Sequence, residues 1–294
     1  MGWHPGVIPD DMTVGRDRVS KASVNGITVG YDDEGGGDPL VLIHGHPFDR
    51  TMWAPQISEF AGAGWRVIAP DLRGYGESSI VPGTVGWETF AHDIAGLLDH
   101  LQVEGVILGG LSMGGQIVME FFRLFPDRVR VLLLADTFCQ AETEDGKQVR
   151  NDQADRLLRE GMRSYTEEVL PKMVAPYNIK ALPAVAEHVA AMMLRTSPEG
   201  AAAALRGRAE RPDYTDLLAR VSVPTLVVVG RDDEFTPVAT AELMTQRVPQ
   251  ATLVVIDRFA HLPNLERPTE FNQALHRFLA EPRSGYKLSL SEAE

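Results

Sequence analysis

The feature of this sequence that most constrains its fold is the alternation of short, wholly apolar runs with longer amphipathic stretches. The apolar runs occupy residues 40–43, 67–69, 106–108 and 131–134. A strand without polar positions is buried on both of its faces. The stretches with helical spacing between these runs occupy residues 50–63, 87–101 and 116–125. Strands that alternate with helices in this way predict an α/β fold, with a mostly parallel central sheet and helices on both faces.

The start and the middle of the chain depart from this alternation. Residues 19–24 and 27–31 flank Asn25-Gly26, and two strand-like runs joined by Asn-Gly predict a β-hairpin. Residues 138–220 are polar and alanine-rich without a strand-like run, so we expect a helical insertion there. The alternation then resumes, with strands expected at 225–229 and 253–256 and helices at 239–247 and 269–279.

These boundaries predict one core with one inserted cap. The core is expected to comprise residues 19–137 and 221–282, and the helical cap residues 138–220. Residues 1–18 and 283–294 show no periodicity, and we expect them to be disordered or loosely held.

The composition of the chain excludes several classes of partner. The formal net charge of −13 repels phosphate backbones and anionic lipid, so we expect neither nucleic-acid nor membrane partners. The single cysteine, Cys139, allows no internal disulfide, which fits a reducing compartment. No export signal begins the sequence, and no apolar run approaches the roughly 18 residues of a membrane span. We therefore expect a cytoplasmic protein.

A Gly-x-Ser-x-Gly motif at residues 110–114 is the first indication of chemistry. It lies directly between an apolar strand and a helix. A tight turn at this point would raise the serine hydroxyl above the edge of the sheet. The alternative is a flexible turn with an incidental serine. The placement favours Ser112 as a nucleophile.

A serine hydroxyl is a poor nucleophile at neutral pH and needs a neighbouring base. The loop after the last expected strand contains His261, which we predict to be that base. The acid that orients it has three candidates, Asp136, Asp232 and Asp233, each of which follows an expected strand. Because catalytic groups of such sheets gather at the carboxyl ends of the strands, all of these residues are expected at one edge.

The tetrahedral intermediate of acyl transfer also needs hydrogen-bond donors for its oxyanion. We predict two backbone amides for this role, that of Met113 after the nucleophile and that of His46 in the loop after the first apolar run. His44 and His46 alternatively resemble a fragment of a metal site. Two histidines without a nearby third ligand are weak evidence for zinc, so we expect no metal.

Four landmarks occur in the order typical of one superfamily. They are His44-Gly45-x-Pro47, Asp71-x-Arg73-Gly74-x-Gly76-x-Ser78, the motif at 110–114, and the loops of Asp233 and His261. From about residue 19 to residue 280 the chain resembles the α/β-hydrolase superfamily. Residues 109–115 and 261–266 particularly resemble 3-oxoadipate enol-lactonases and related small carboxylesterases, whose relatives include cofactor-free haloperoxidases and C–C bond hydrolases. His46 departs from that pattern, since such proteins more often carry an apolar or aromatic residue there.

The resemblance implies an α/β-hydrolase fold with a cap over Ser112. It favours Asp233 as the acid, because Gly230-x-x-Asp233 followed by Thr236-Pro237 matches the esterase and lactonase branch. It implies hydrolysis of a carboxylic ester or lactone of a small to medium-sized molecule through an acyl-enzyme, without a cofactor. A C–C bond hydrolase, a perhydrolase, or a hydrolase-fold receptor with incidental turnover are the alternatives. Dehalogenases and epoxide hydrolases carry aspartate at the position of Ser112, which argues against both.

Overall fold

The computed structural model describes residues 19–280, which form an eight-stranded sheet flanked by helices. The strands are β1 (Ser20–Val24), β2 (Ile27–Gly35), β3 (Pro39–Ile43), β4 (Arg66–Pro70), β5 (Val106–Leu111), β6 (Val129–Ala135), β7 (Thr225–Gly230) and β8 (Ala251–Ile256). Their order across the sheet is β1-β2-β4-β3-β5-β6-β7-β8. The pairs that involve β2 are antiparallel, and all the others are parallel.

Twelve α-helices connect the strands of the described chain. They are α1 (Ala54–Gly62), α2 (Trp87–His100), α3 (Met113–Leu124), α4 (Glu144–Glu160), α5 (Met162–Met173), α6 (Pro176–Ala181), α7 (Pro183–Arg195), α8 (Pro198–Ala209), α9 (Thr215–Leu218), α10 (Val238–Arg247), α11 (Pro263–Glu266) and α12 (Pro268–Ala280). Short 3₁₀ helices cover Arg50–Trp53 and Pro126–Arg128.

The sheet separates two hydrophobic layers, and the alternating residues of its strands point into one or the other. In β3, Val41 and Ile43 pack in one layer, whereas Leu40 and Leu42 pack in the opposite one. All four side chains are fully buried. The mostly parallel sheet covered on both faces, which the apolar runs predicted, is confirmed.

The hairpin at the start of the described chain is also confirmed. Asn25 and Gly26 have φ angles of 48° and 77°, the left-handed conformation that a two-residue hairpin turn requires. β2 extends to Gly35, beyond the predicted end at residue 31, because its second half pairs with β4.

The insertion between β6 and β7 contains helices α4 to α9. It is tied to the loops at the carboxyl edge of the sheet. The Thr196 hydroxyl donates to the carbonyl of Pro47 over 2.8 Å, and the Val85 amide donates to the carbonyl of Ala203 over 3.0 Å. The expectations for residues 1–18 and 283–294 lie outside the described residues. Among residues 19–280, no helix combines the length and apolar character needed to cross a membrane.

We predict that the insertion opens more readily than the sheet. Strand β3 has four fully buried side chains, whereas Ala154 and Leu157 are the buried residues of the 17-residue helix α4. Local opening costs least where little apolar surface is buried. Hydrogen exchange followed by mass spectrometry should therefore show faster exchange in α4 than in β3 and β5. Equal protection in these elements would mean that α4 opens only when the whole core unfolds.

Candidate active site

Ser112 occupies a strained turn between β5 and α3. Its φ angle of 55° is in the left-handed region, which is uncommon for a residue with a side chain. An added Cβ on Gly110 would lie 2.4 Å from the carbonyl carbon of Gly114, and one on Gly114 would lie 2.2 Å from the carbonyl oxygen of Ile43. Both motif glycines are therefore required by close backbone contacts. They hold α3 against the end of β3.

His261 and Asp233 form a buried pair. Nδ1 of His261 lies 2.8 Å from Oδ2 of Asp233, and the residues are 2% and 4% exposed. Oδ1 of Asp233 accepts hydrogen bonds from the amides of Phe235 (2.8 Å) and Thr236 (3.2 Å), and the Thr236 hydroxyl donates to Oδ2. Burial alone would raise the pKa of Asp233, but His261 and these donors outweigh it and lower the pKa to about 2.

The charged Asp233 fixes the orientation and tautomer of the histidine. Because a carboxylate only accepts hydrogen bonds, Nδ1 of His261 carries the proton when the imidazole is neutral. Nε2 is then left with its lone pair, as a general base requires. The His261 amide donates to the carbonyl of Met173 over 3.2 Å, so the insertion also holds this loop.

The predicted residues follow neighbouring strands at the same edge of the sheet. Ser112 follows β5, Asp233 follows β7 and His261 follows β8, and β5 to β8 are adjacent and parallel. Parallel strands bring their carboxyl ends together, so the three side chains belong to one region. Ser112 is itself 7% exposed.

The other two candidate acids have different surroundings. Oδ1 of Asp136 accepts from the amide of Gly230 over 2.8 Å, whereas its buried Oδ2 has no hydrogen-bond partner within residues 19–280. Burial and the nearby charge of Asp233 raise the pKa of Asp136, which favours a neutral carboxyl group. Asp232 is exposed and accepts a 2.5 Å hydrogen bond from the hydroxyl of Tyr177.

Ligand atoms of Asp136, Asp233 and His261 lie within 4.8 Å of one another, a spacing that could suit a metal ion. The hydrogen bond between Asp233 and His261 occupies Nδ1 of the histidine, and the raised pKa of Asp136 disfavours the charged carboxylate that a metal ion would bind. The alternative His44–His46 site is weakened in the same way. Nε2 of His44 accepts from the amide of Leu72 over 2.9 Å, and its Nδ1 lies 2.9 Å from the carbonyl of Gly45. Burial lowers the pKa of His44 to about 4, so this histidine is a neutral structural link.

The two amides predicted for an oxyanion hole are free in the described chain, since neither His46 nor Met113 donates a backbone hydrogen bond within residues 19–280. Met113 is the first residue of α3, where amides have no partner inside the helix. The end of β3 leads directly into the loop that contains His46. The contact of Gly114 with Ile43 keeps this loop beside the turn at Ser112.

Glu266 is a buried residue of the site to which the sequence analysis assigned no role. Its Oε1 accepts from the amide of Ala260 over 3.0 Å. Its Oε2 accepts from the amide of Ala175 (3.0 Å) and from the side chain of Asn178 (2.7 Å). Glu266 thus joins the insertion to the residue before His261. The sequence gives only a weak signal for this link, because a glutamate on a short helix is usually exposed.

Comparison with known proteins shows the family of this chain. Residues 38–268 match the family model described as the alpha/beta hydrolase fold. The chain belongs to the α/β-hydrolase family.

Three relatives illustrate its range. The chain is 29% identical to 3-oxoadipate enol-lactonase 2 of Acinetobacter baylyi over 251 residues, which cover 85% of this chain and 92% of that protein. It is 32% identical over 271 residues to a 2-hydroxy-6-oxononadienedioate/2-hydroxy-6-oxononatrienedioate hydrolase of Burkholderia vietnamiensis, with 86% and 91% covered. A thermophilic esterase of Thermogutta terrifontis, solved with malate bound, has a TM-score of 0.86 at 41% identity, with 89% of this chain and 98% of that chain covered. The predicted α/β-hydrolase fold and the resemblance to enol-lactonases and esterases are confirmed.

The close backbone contacts at the Ser112 turn lead to a prediction about the stability of the protein. Gly114→Ala should lower the free energy of unfolding by about 1–3 kcal/mol, because its methyl group has no room beside Ile43. Gly62→Ala, at the end of α1 with no atom within 4 Å of the added methyl group, is the matched control. Urea unfolding measures both variants. If Gly114→Ala is as stable as Gly62→Ala, the turn has room for a side chain at position 114.

Proposed function

We propose that this protein is a serine hydrolase that cleaves a carboxylic ester or lactone of a small to medium-sized molecule. The observation that carries the proposal is the buried 2.8 Å pair of His261 and Asp233 at the sheet edge that also holds the strained Ser112 turn. A nucleophile, a base and an orienting acid on neighbouring strand ends are the components of acyl transfer.

In the proposed mechanism, Nε2 of His261 takes the proton of Ser112 while the serine oxygen attacks the carbonyl carbon. The amides of His46 and Met113 donate to the oxyanion, and the positive end of α3 adds to this stabilisation. His261 then gives its proton to the leaving alcohol. An acyl-enzyme remains, and a water molecule activated by His261 hydrolyses it. Asp233 compensates the charge on the imidazolium throughout.

The relatives support this reaction class, because they include an enol-lactonase and an esterase. The insertion of residues 138–220 would form the cap of the substrate pocket, with α5 and α6 beside the His261 loop. The 32% identical C–C bond hydrolase favours one second candidate, cleavage of a carbon–carbon bond by the same residues.

A turnover screen decides between these functions. It comprises p-nitrophenyl esters of increasing chain length, a panel of lactones and a vinylogous diketone. Turnover of about 1–1,000 per second on an ester or lactone is expected for an enzyme. Faster turnover of the diketone would favour C–C hydrolysis. Turnover below about 0.01 per second on every compound would favour a ligand-binding receptor.

Ser112→Ala should fold normally and lose essentially all hydrolysis, because it removes only the nucleophilic oxygen. The measurement compares the melting temperature and the p-nitrophenyl acetate turnover of this variant with those of the parent. More than a tenth of the parent activity in Ser112→Ala would contradict the assignment of the nucleophile.

Replacement of the three candidate acids by asparagine should separate their roles. Asp233→Asn should lower kcat by about 10⁴, because an amide nitrogen near Nδ1 favours the wrong tautomer of His261. Asp136→Asn should stay within about tenfold of the parent, since an amide resembles the neutral carboxyl group in its hydrogen bonds. Asp232→Asn is the exposed control and should stay within the same range. A larger loss in Asp136→Asn than in Asp233→Asn would place the acid before the cap.

A further inference from the structure

Asp136, the residue directly after β6, is a buried acid to which the proposed mechanism gives no role. It is 1% exposed. Both of its neighbours in the chain hydrogen-bond to the backbone of Ser112. The Ser112 amide donates to the carbonyl of Ala135 over 2.9 Å, and the Thr137 hydroxyl donates to the Ser112 carbonyl over 2.7 Å. The position of Asp136 is therefore fixed relative to the nucleophile.

The backbone of Asp136 is strained. Its φ angle of 41° lies in the left-handed region, which is uncommon for a residue with a side chain. Its amide donates to the carbonyl of Val228 over 2.9 Å, and its Oδ1 accepts from the amide of Gly230 over 2.8 Å. These two hydrogen bonds direct the carboxyl group towards the end of β7, the strand that leads to Asp233. Residues held in such a conformation by their surroundings cluster at functional sites.

The second carboxyl oxygen of Asp136 has no donor. Oδ2 is buried, and no group within residues 19–280 donates a hydrogen bond to it. A carboxyl oxygen of Asp136 lies within 4.8 Å of both a carboxyl oxygen of Asp233 and a ring nitrogen of His261. A buried carboxylate oxygen without a donor loses its hydration and gains no hydrogen bond in exchange. A protonated oxygen is instead a donor, and the Asp233 carboxylate beside it is an acceptor.

The surroundings of Asp136 favour its protonated form. Burial raises the pKa of Asp136 most, and the charge of Asp233 raises it further. The amide of Gly230 lowers the pKa by a smaller amount, whereas a hydrogen bond with Asp233 and the charge of Glu266 raise it again. Of two carboxyl groups this close, one ionises and the other keeps its proton.

The Asp233 carboxylate can accept from a further donor. Its donors within residues 19–280 are the amides of Phe235 and Thr236, the hydroxyl of Thr236 and Nδ1 of His261. The Thr236 amide lies 3.2 Å away, at the long end of the range for such bonds, so short hydrogen bonds do not saturate the carboxylate. A hydrogen bond from a carboxylic acid to a carboxylate is about twice as strong as one between neutral groups.

We propose that Asp136 keeps its proton at neutral pH and donates a hydrogen bond to Asp233, as a positioning residue for the catalytic pair. The hydrogen bonds then run from Asp136 through Asp233 to His261. The new donor holds the Asp233 carboxylate against Nδ1 of His261 and withdraws part of its negative charge. This inference rests on the proposed function for its effect on hydrolysis, but not for the protonation of Asp136.

Carbon-13 NMR measures the protonation of Asp136 directly. In protein with labelled aspartate carboxyl groups, one resonance should keep the chemical shift of a protonated carboxyl group at pH 7 and should be absent from Asp136→Asn. In Asp233→Asn, which lacks the neighbouring charge, this group should ionise at a pH lower by at least about one unit. The proposal is overturned if every aspartate of the parent is ionised at pH 7, or if the titration of Asp136 is the same in Asp233→Asn.

The pH profile of hydrolysis tests the link to the base. The acid limb of kcat/KM reports protonation of the catalytic base in the free enzyme. Asp136→Asn keeps both a donor and an acceptor, so the midpoint of this limb should stay within about 0.3 pH units of the parent. Asp136→Leu lacks the donor. Because Asp233 then carries more negative charge, it stabilises the protonated base, and the midpoint should rise by at least about 0.5 pH units.

The same profile would reveal a charged Asp136. Asp136→Asn would then remove a negative charge beside the base and lower the midpoint by about 1–3 pH units, which would overturn the proposal. Asp232→Asn is the control, because Asp232 is exposed and solvent screens its charge. Its midpoint should stay within about 0.3 pH units of the parent. If Asp136→Leu does not fold, the NMR titration and the profile of Asp136→Asn decide.

The protonation measurement separates this inference from the proposed function. A protonated Asp136 in a protein without Ser112-dependent hydrolysis would contradict the proposed function and support the hydrogen bond to Asp233. Ser112-dependent hydrolysis by a protein whose Asp136 is ionised at pH 7 would overturn the role of Asp136 alone.

Discussion

Three segments of backbone meet at Ser112, and much of the active-site edge depends on how closely they approach. The carbonyl end of β3 lies against Gly114, so a side chain at that position would destabilise the start of α3. The Ser112 amide donates to Ala135 over 2.9 Å, and its carbonyl accepts from the Thr137 hydroxyl over 2.7 Å. A residue held at positive φ costs on the order of 1–3 kcal/mol. Two hydrogen bonds to the end of β6 and the buried strands on either side offset that cost.

The acids of this edge show how surroundings decide chemical role. Asp233 accepts from a histidine, a hydroxyl and two amides, and these donors keep it charged. Asp136, within 4.8 Å of it, has one amide donor and is driven towards the neutral form. Two carboxyl groups so close cannot both ionise easily, and the one with more hydrogen-bond donors keeps the charge. This difference in hydrogen bonding favours Asp233 as the partner of His261.

The insertion contacts the site at two loops, those of His261 and His46. Glu266 connects it to the loop before His261, and the hydroxyl of Thr196 connects it to Pro47 in the loop of His46. Beneath this loop, Asp71 accepts from the amide of Arg50 over 2.8 Å and from its guanidinium group. A change in the position of the insertion would therefore affect both the loop of His261 and the loop of His46.

The order of strands and helices, and the positions of Ser112 and His261, could be predicted from the sequence because they depend on local patterns. A strand buried on both faces is recognisable from its composition, and a tight strand–helix turn from its glycines. The choice among the acids had no local signal and depended on family resemblance, since Asp136 and Asp233 each follow a strand. The burial of Arg208 on α8 could not be predicted from the sequence either, because an arginine in a helix is usually exposed. Only the tertiary structure decides which polar groups are buried together, since burial and the distances between segments remote in sequence arise from packing.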